Sequence, residues 1–267
     1  MANYDGYEQL TIEVDDVGVA VITIPLVGSA GPRQARVHRE MATIWDAVRD
    51  DPAVKAIVVT GEAHEFYVSA DLNGLRAIPG LGKEETFELL QRVSREGQDI
   101  VYRMVELEKP VVAAINGKAA GGGLAVALLA DISIAAHDAV LVDPHVTMGL
   151  AAGDHAAMIW PLLCGMAKSK LYLMTSDPLD GQEAERIGLV SLSVPGDEVL
   201  SAAMDYARRM ATGPTYAVRF TKMALNQWLK LGGLTAHDYS GALELLNFFG
   251  PELREAVEDA GGAKPTG

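Results

Sequence analysis

The sequence predicts an α/β protein with parallel strands buried on both faces and a helical region behind them. Three observations carry this. Short β-branched apolar runs alternate with stretches of helical spacing; the runs lack the polar alternation of a half-exposed sheet; and from about Glu198 onward only helical signal remains. Glu8 to Val14 and Val17 to Pro25 are apolar runs parted by Asp15 and Asp16 shortly ahead of Gly18, which reads as a strand pair. From Arg33 to Arg49 the residues Val37, Met41, Ile44, Trp45 and Val48 recur at steps of three and four, so one face of a helix is buried. Val54 to Thr60 follows as a strand, Glu84 to Glu108 as a long amphipathic helix, and Val111 to Asn116 as a strand introduced by Pro110. A glycine-rich turn, a helix to Leu129, a strand from Ile132 to Ala136 and a helix after Gly153 continue the alternation. Ala202 to Met210, Ala217 to Leu231 and Leu234 to Phe248 read as three helices of a tail that has no strand to pack on, so that it packs on a partner or back over the core. The expected division is a core of residues 1–197 and a helical C-terminal region of residues 198–267 that covers the site and builds oligomers.

With 267 residues, 49% of them hydrophobic, the chain can bury a sizeable core, and the single Cys164 excludes an intramolecular disulfide. The start MANYDGYEQL has neither a basic leader nor an apolar stretch, so the cytoplasm is the expected location. Val17 to Pro32, the longest uncharged stretch, is broken by Gly and Pro and falls short of a membrane span. A net charge of −14 repels phosphate backbones, which argues against nucleic acid and for a small-molecule partner.

The strongest local feature is KPVVAAINGKAAGGGLAVALLAD, Lys109 to Asp131, where a buried strand runs into Gly121, Gly122 and Gly123 and then into an apolar helix. Glycines let an oxygen approach the chain, and the helix start offers unpaired N–H donors, which together make an oxyanion site. Read alone, the triplet serves tight packing equally well. Rossmann spacing, a P-loop, a zinc-protease helix and a GxSxG elbow are all absent. Two converging amides hold a developing charge better than one, so a second donor is expected after an earlier strand, where HEFYVSADL, His64 to Leu72, lies.

These motifs resemble the crotonase (enoyl-CoA hydratase/isomerase) superfamily over about Glu8 to Phe249. Phe66 to Leu72 matches its aromatic, three small residues and Ala-Asp-Leu. Lys109 to Gly123 matches its Lys-Pro, strand, Asn-Gly and Gly-Gly-Gly series, and the match continues through DPHVTMGLAAGD to LMTSDPLDGQEAERIGLVS. The resemblance implies a spiral of ββα turns, trimers or dimers of trimers, and an oxyanion hole formed by the amides of Ala70 and Gly122. It also implies substrate contacts at Val68, Ser69, Asp71, Leu72 and Gly121. Coenzyme A enters as part of a thioester substrate and no separate cofactor is implied; Arg76 and Lys83 are candidates for its phosphates.

Where hydratases of this family carry two glutamates, this chain has Ala125 and His145, so water cannot be activated by a glutamate pair. Ser69 stands for a usual glycine and Tyr67 for a usual small residue, which predicts a narrower or more polar mouth. His145 and Asp154 are the expected replacement: an imidazole titrates near neutrality, and a carboxylate at its far nitrogen fixes the tautomer. The run DPHVTMGLAAGDHAAMIWP also resembles the carbon–carbon bond-cleaving β-diketone hydrolases of the superfamily, which use a His and an Asp at matching places. The simpler alternatives are a His145 bonded to a backbone carbonyl and an Asp154 that caps a helix. The expectation is an enzyme acting on an acyl-CoA thioester, with a β-diketone hydrolase and a non-catalytic acyl-CoA-binding or scaffold homologue as alternatives.

His155 ranks below His145, because on a helix its side chain would point about 100° from that of Asp154. His38, His64, His137 and His237 show no ligand spacing, so no metal is expected. Cys164, Met148, Met158 and Trp160 read as core.

Overall fold

The computed structural model describes residues 4–27, 31–69, 75 and 78–262. Strands β1 (Thr11–Val14) and β2 (Val19–Ile24) form the expected antiparallel pair, with Thr11 opposite Thr23. Helix α1 (Pro32–Asp50) buries Val37, Met41, Ile44, Trp45 and Val48, the residues whose spacing predicted it. Each such side chain removed from water stabilises the fold by roughly 1.5–3 kcal/mol. Pro32 opens this helix, where a missing N–H costs no helical bond.

From here the chain repeats one unit. Strand β3 (Ala56–Gly61) is followed at once by β4 (Glu65–Val68) and then by helix α2 (Lys83–Glu106). Strand β5 (Val111–Ile115) is followed by β6 (Lys118–Ala120) and helix α3 (Gly122–Leu129), then β7 (Ile132–Ala136) by β8 (Leu141–Val142) and helix α4 (Ala156–Thr175). The first strand of each unit enters a six-stranded sheet of order β1-β2-β3-β5-β7-β9, where β9 is Leu192–Val194, and the second enters a three-stranded sheet of order β4-β6-β8. Among the described residues every pairing between these strands after β1–β2 is parallel, and a single antiparallel bridge joins Leu141 to Leu179. The result is a spiral of ββα turns. β3 and β5 are buried at every position, which explains their unbroken apolar sequences.

Helices α5 (Gly181–Arg186), α6 (Val199–Thr212), α7 (Thr215–Gly232), α8 (Asp238–Asn247) and α9 (Pro251–Gly262) complete the described chain, with a π turn at Gly233–His237 ahead of α8. One sequence expectation is corrected here. The tail does have strands to pack on: α6 lies across β2, β3, β5 and β7 and buries Val199, Ala203, Ala207 and Ala211. Small residues at spacings of four let this helix sit close to the sheet. Helix α7 instead packs on α2, α4 and α6 and leaves Tyr216, Phe220, Leu225 and Trp228 exposed.

An ion pair between a buried lysine and a partly exposed aspartate ties the tail to the spiral. Lys222 of α7 lies 2.8 Å from Asp131, whose carboxylate also accepts from the Val111 amide at 2.7 Å. Lys109 is buried as well, its ammonium donating to the carbonyls of Val48 at 2.8 Å and Asp51 at 2.6 Å. Lys109 and Asp131, which frame the glycine motif in sequence, are therefore structural. Cys164 is half-buried, and Met148, Met158 and Trp160 are core residues. Among the described residues no helix is long and apolar enough to cross a membrane.

Candidate active site

The small sheet positions the site. Its parallel strands end together, so the residues after β4, β6 and β8 converge: Ser69, then Gly121 and Gly122, then Asp143 and His145. A cavity of about 310 Å³ lies over these ends, and Ser69, Gly122, Ala125, His145 and Asp154 all line it. Its apolar wall comes from α2, through Leu90, Val93, Ile100 and Val101, with Leu245 and Phe248 from the C-terminal region.

The glycine triplet meets three separate demands. Gly121 precedes α3 at φ 58°, a left-handed conformation that disfavours a side chain. A Cβ on Gly123 would lie 2.0 Å from the Tyr67 carbonyl oxygen, so the start of α3 could not rest on β4. A Cβ on Gly122 would project toward the cavity, 2.9 Å from Ser69 Oγ and 3.7 Å from His38 Nε2. The Gly122 amide donates to Ser69 Oγ, and Gln34 Nε2 donates to the Ser69 carbonyl, so this serine is held from both sides. With its oxygen accepting from the amide, the Ser69 hydroxyl keeps its proton for another acceptor.

The other expected residues are placed as follows. Val68 ends β4 and is buried, and Gly121 immediately precedes Gly122, which lines the cavity. Ala70, Asp71, Leu72 and Arg76 lie outside the described residues. Tyr67 does not narrow the mouth: it is 1% exposed inside the core, and its hydroxyl has no hydrogen-bond partner. Ala125 faces the cavity from the first turns of α3 and leaves the family's first glutamate position without an ionisable group.

His145 is 3% exposed and begins a short turn, Val146–Met148. Its orienting carboxylate is Asp143, two residues earlier, which accepts from Nδ1 at 2.8 Å and from the His145 amide at 3.2 Å. Asp154 is not that partner: it stands 3.9 Å from Nε2, with Glu244 of α8 at 3.6 Å from the same atom. Both distances exceed a hydrogen bond, so Nε2 points into the cavity between two carboxylates. The His145 side chain thus engages a carboxylate, not the backbone carbonyl of the simpler alternative, while Asp154 accepts from the next residue's amide at 2.7 Å ahead of α4.

His155 departs from the sequence argument. It precedes α4 with a non-helical backbone, φ −145° and ψ −27°, so helical geometry does not set its direction. Its Nδ1 comes 2.5 Å from Asp154 Oδ1 but off the N–H line, and neither ring nitrogen has a hydrogen-bond partner. His237, on the same cavity, is buried with both nitrogens unpartnered and its ring edge-on to Tyr102 at 5.3 Å. Asp143, Asp154 and His155 bring ligand-type atoms within 4.8 Å of one another, the one such set of three among the described residues. His145 already shares the charge of these carboxylates.

Charge and burial displace the titrations in this cluster. Burial alone would lower the pKa of His145, but the charges of Asp143 and Asp154, the Asp143 hydrogen bond and the charge of Glu244 outweigh it and raise it well above the imidazole range. Asp154 is pushed up by burial yet held well below the carboxylate range by the charges of His155 and His145. Glu244 goes the other way: burial, opposed by His145 and reinforced by Asp154 and Asp143, raises it to about 7. These charges favour the cationic form of His145, and they leave Glu244 raised to about 7.

Sequence reasoning missed Asp143, Glu244 and His38. Asp143 was legible, since an acid two residues before a histidine after a strand can reach its near nitrogen. Glu244 was not, because a glutamate in an amphipathic helix is ordinarily a solvated one. It arrives here because Gly153 permits close approach: a Cβ on Gly153 would lie 2.5 Å from Glu244 Cβ and 2.5 Å from the Ser240 carbonyl oxygen.

Comparison with known proteins follows the same lines. Residues 17–241 match the family model described as enoyl-CoA hydratase/isomerase. A crotonyl-CoA hydratase of Syntrophomonas wolfei is 32% identical over 84% of each chain, and a short-chain-enoyl-CoA hydratase of Clostridium acetobutylicum is 30% identical over 79% of each. Among solved structures, an enoyl-CoA hydratase/isomerase of Mycobacterium paratuberculosis superimposes with a TM-score of 0.84 at 29% identity, covering 94% of this chain and 98% of that one. A β-diketone hydrolase of the cyanobacterium Anabaena, bound to (S)-3-oxocyclohexyl acetic acid, superimposes with a TM-score of 0.80 at 26% identity, covering 92% of this chain and 96% of that one.

Proposed function

Since the chain belongs to the enoyl-CoA hydratase/isomerase family, we propose that it keeps the family's enolate site but uses it to cleave, with water, the carbon–carbon bond between two carbonyl groups. The observation that carries this reading is the replacement of the glutamate pair by Ala125 and a His145 whose free nitrogen faces Asp154 and Glu244. Glu244, poised at about 7, takes a proton from water. The hydroxide adds to one carbonyl carbon, and the His145 cation stabilises the oxyanion through Nε2–H. The adduct collapses to a carboxylic acid, and the bonding pair leaves as an enolate whose oxygen sits at Ser69 and Gly122. A proton on the enolate carbon completes the products.

The resemblance to a β-diketone hydrolase holding a keto acid supports this reading. A second reading, hydration of an enoyl-CoA, is favoured by the names of the relatives at 30–32% identity. Turnover of a panel containing cyclohexanedione-type β-diketones, a β-ketoacyl-CoA and crotonyl-CoA decides between them. Ring or chain cleavage, abolished in His145→Ala, is the expected result; hydration of crotonyl-CoA alone would overturn it. Calorimetry with a non-reacting acyl-CoA tests whether coenzyme A is part of the substrate.

The division at residues 197 and 198 is kept only as a functional one, with the C-terminal helices covering the site. The apolar surface left by α7 and α4, including Phe220, Trp228 and Met166, supports self-association as a trimer or dimer of trimers, which light scattering measures directly. Cytoplasmic location fits a chain with one half-buried cysteine and is tested by fractionation.

A further inference from the structure

The cavity has a second histidine–carboxylate pair that the reaction above does not use. His38, on α1, has Nδ1 2.9 Å from Glu96 Oε2 on α2, and both side chains are 15% exposed. Arg39 reaches the other Glu96 oxygen at 3.5 Å, so this carboxylate is pinned at both ends. With Nδ1 held by Glu96, Nε2 is the free end of the ring. It points to the corner formed by Gly122 and Ser69, since a methyl on Gly122 would lie 3.7 Å from His38 Nε2 and 2.9 Å from Ser69 Oγ. This is the corner that holds the enolate. His145, Asp154 and Glu244 come from the loops after β8 and from α8, whereas His38 and Glu96 come from the α1–α2 wall of the same cavity.

We propose that His38 is a catalytic general acid that delivers the proton to the enolate carbon, with Glu96 as its positioning residue, so that protons are taken and given on different walls of the cavity. The proposal rests on the enolate-forming reading above. In C–C cleavage the water proton goes to Glu244, the water oxygen bonds to the attacked carbon, and the carbon–carbon pair becomes the enolate. The enolate pair then takes the proton from Nε2–H of His38 and forms the new C–H bond. Neutral His38 regains a proton from solvent and Glu244 loses one to it, so water is the only co-reactant.

Burial pushes Glu96 up, but the His38 hydrogen bond and the charges of His38, Arg39 and Arg92 hold it below the usual carboxylate range, as an ionised clamp requires. The enolate needs a positioned acid because its protonation on carbon, and on one face of that carbon, is what completes the cleavage. His38 Nε2 and Ser69 Oγ meet over Gly122, beside the carbon an enolate oxygen held there would carry, whereas Glu244 lies 3.6 Å from His145 Nε2. Tyr67, whose buried hydroxyl lies in the field of Glu96, is excluded as the acid because burial raises its pKa far above neutrality.

The test compares wild type, His38→Gln, Glu96→Gln and Glu96→Asp on the same panel in heavy water. For His38→Gln, kcat should fall on the order of 10²–10⁴-fold, the range for a lost general acid, with KM within about threefold. With a cyclic β-diketone that carries two different alkyl groups on the carbon between its carbonyls, wild type should place deuterium on one face of the new C–H centre, and His38→Gln should place it on both. Glu96→Gln should shift the pH profile of kcat, and Glu96→Asp should restore it in part. Unchanged kcat with stereospecific deuteration in His38→Gln would overturn the proposal while leaving the cleavage reading intact.

If wild type turns over nothing on the panel, the cleavage reading fails by itself. Nitrogen-15 NMR of the His38 ring then decides this one. Saturation with dimedone, a cyclic β-diketone that carries its enolate already formed, should move the His38 Nε2 signal, and an unmoved signal sinks the assignment.

Discussion

Replacing Glu244 by glutamine should make the protein more stable and less active, with both effects depending on pH. Glu244 is displaced from its ordinary 4.5 to about 7, because its charge is buried beside two other carboxylates and His145 only partly compensates. A raised carboxyl pKa means that the folded state holds a proton which the unfolded chain has lost. The favourable contribution is complete below pH 4.5 and is lost as pH rises through about 7. The full displacement corresponds to roughly 3 kcal/mol, an upper figure for a side chain that still touches the cavity. Glu244→Gln carries no charge to bury, so its stability should match wild type at pH 4.5 and exceed it by up to about 3 kcal/mol at pH 8. Urea unfolding at the two pH values measures this difference. In turnover assays kcat should fall on the order of 10²–10⁴-fold, and the rise of activity through pH 7 should disappear. Equal or lower stability of Glu244→Gln at pH 8 would refute the burial argument. An unchanged pH profile would refute its role as base.

The remaining predictions follow from close contacts. Gly153→Ala puts a Cβ 2.5 Å from Glu244 Cβ, so α8 must shift; stability should drop by about 1–3 kcal/mol in denaturant melts and kcat/KM by on the order of 100-fold. Asp143→Asn removes the charge at 2.8 Å from Nδ1, so the pKa of His145 followed by NMR should fall toward the imidazole range, and kcat should drop by up to about 10⁴-fold if the tautomer reverses. Lys222→Met leaves a partly exposed Asp131 without its cation and should cost about 1–3 kcal/mol of unfolding free energy in a urea titration, more than the double replacement Lys222→Met with Asp131→Asn.

The large sheet was legible because its inner strands β2, β3, β5 and β7 are apolar and largely buried, and Ile132–Ala136 was located to the residue. The small sheet was not. Strands β6 and β8 span three and two residues, too short for any periodicity, and the chain around them reads as the turn that also contains the glycines. The site suffered for the same reason. Gly122, Ser69 and His145 are visible as motif residues, but their convergence depends on strands that leave no pattern. The pattern places His145 and Asp154 on adjacent elements facing one cleft, at positions that match the β-diketone hydrolases, and by itself it does not show that Asp143 reaches the nearer ring nitrogen. His38 sits on the half-buried flank of an amphipathic helix, and only the packing of α1 on α2 reveals Glu96 as its partner.

The proton-handling groups have moved away from α3, and this changes what the C-terminal region must do. A glutamate at position 125 would be fixed by the spiral itself, whereas Glu244 reaches His145 only when α8 is docked. That docking rests on few contacts: Ser240 Oγ to the Gly153 carbonyl at 2.8 Å, the Ala151 amide to Asn247 Oδ1 at 3.0 Å, and Tyr102 to Asp238 at 2.7 Å. Contacts of this size allow local opening at a lower free energy than global unfolding. Each opening removes a carboxylate from beside Nε2, which lowers the pKa of His145, while Glu244 returns to solvent and ionises. Helix docking and cluster protonation are therefore linked, and a ligand that stabilises the His145 cation must also hold α8 in place.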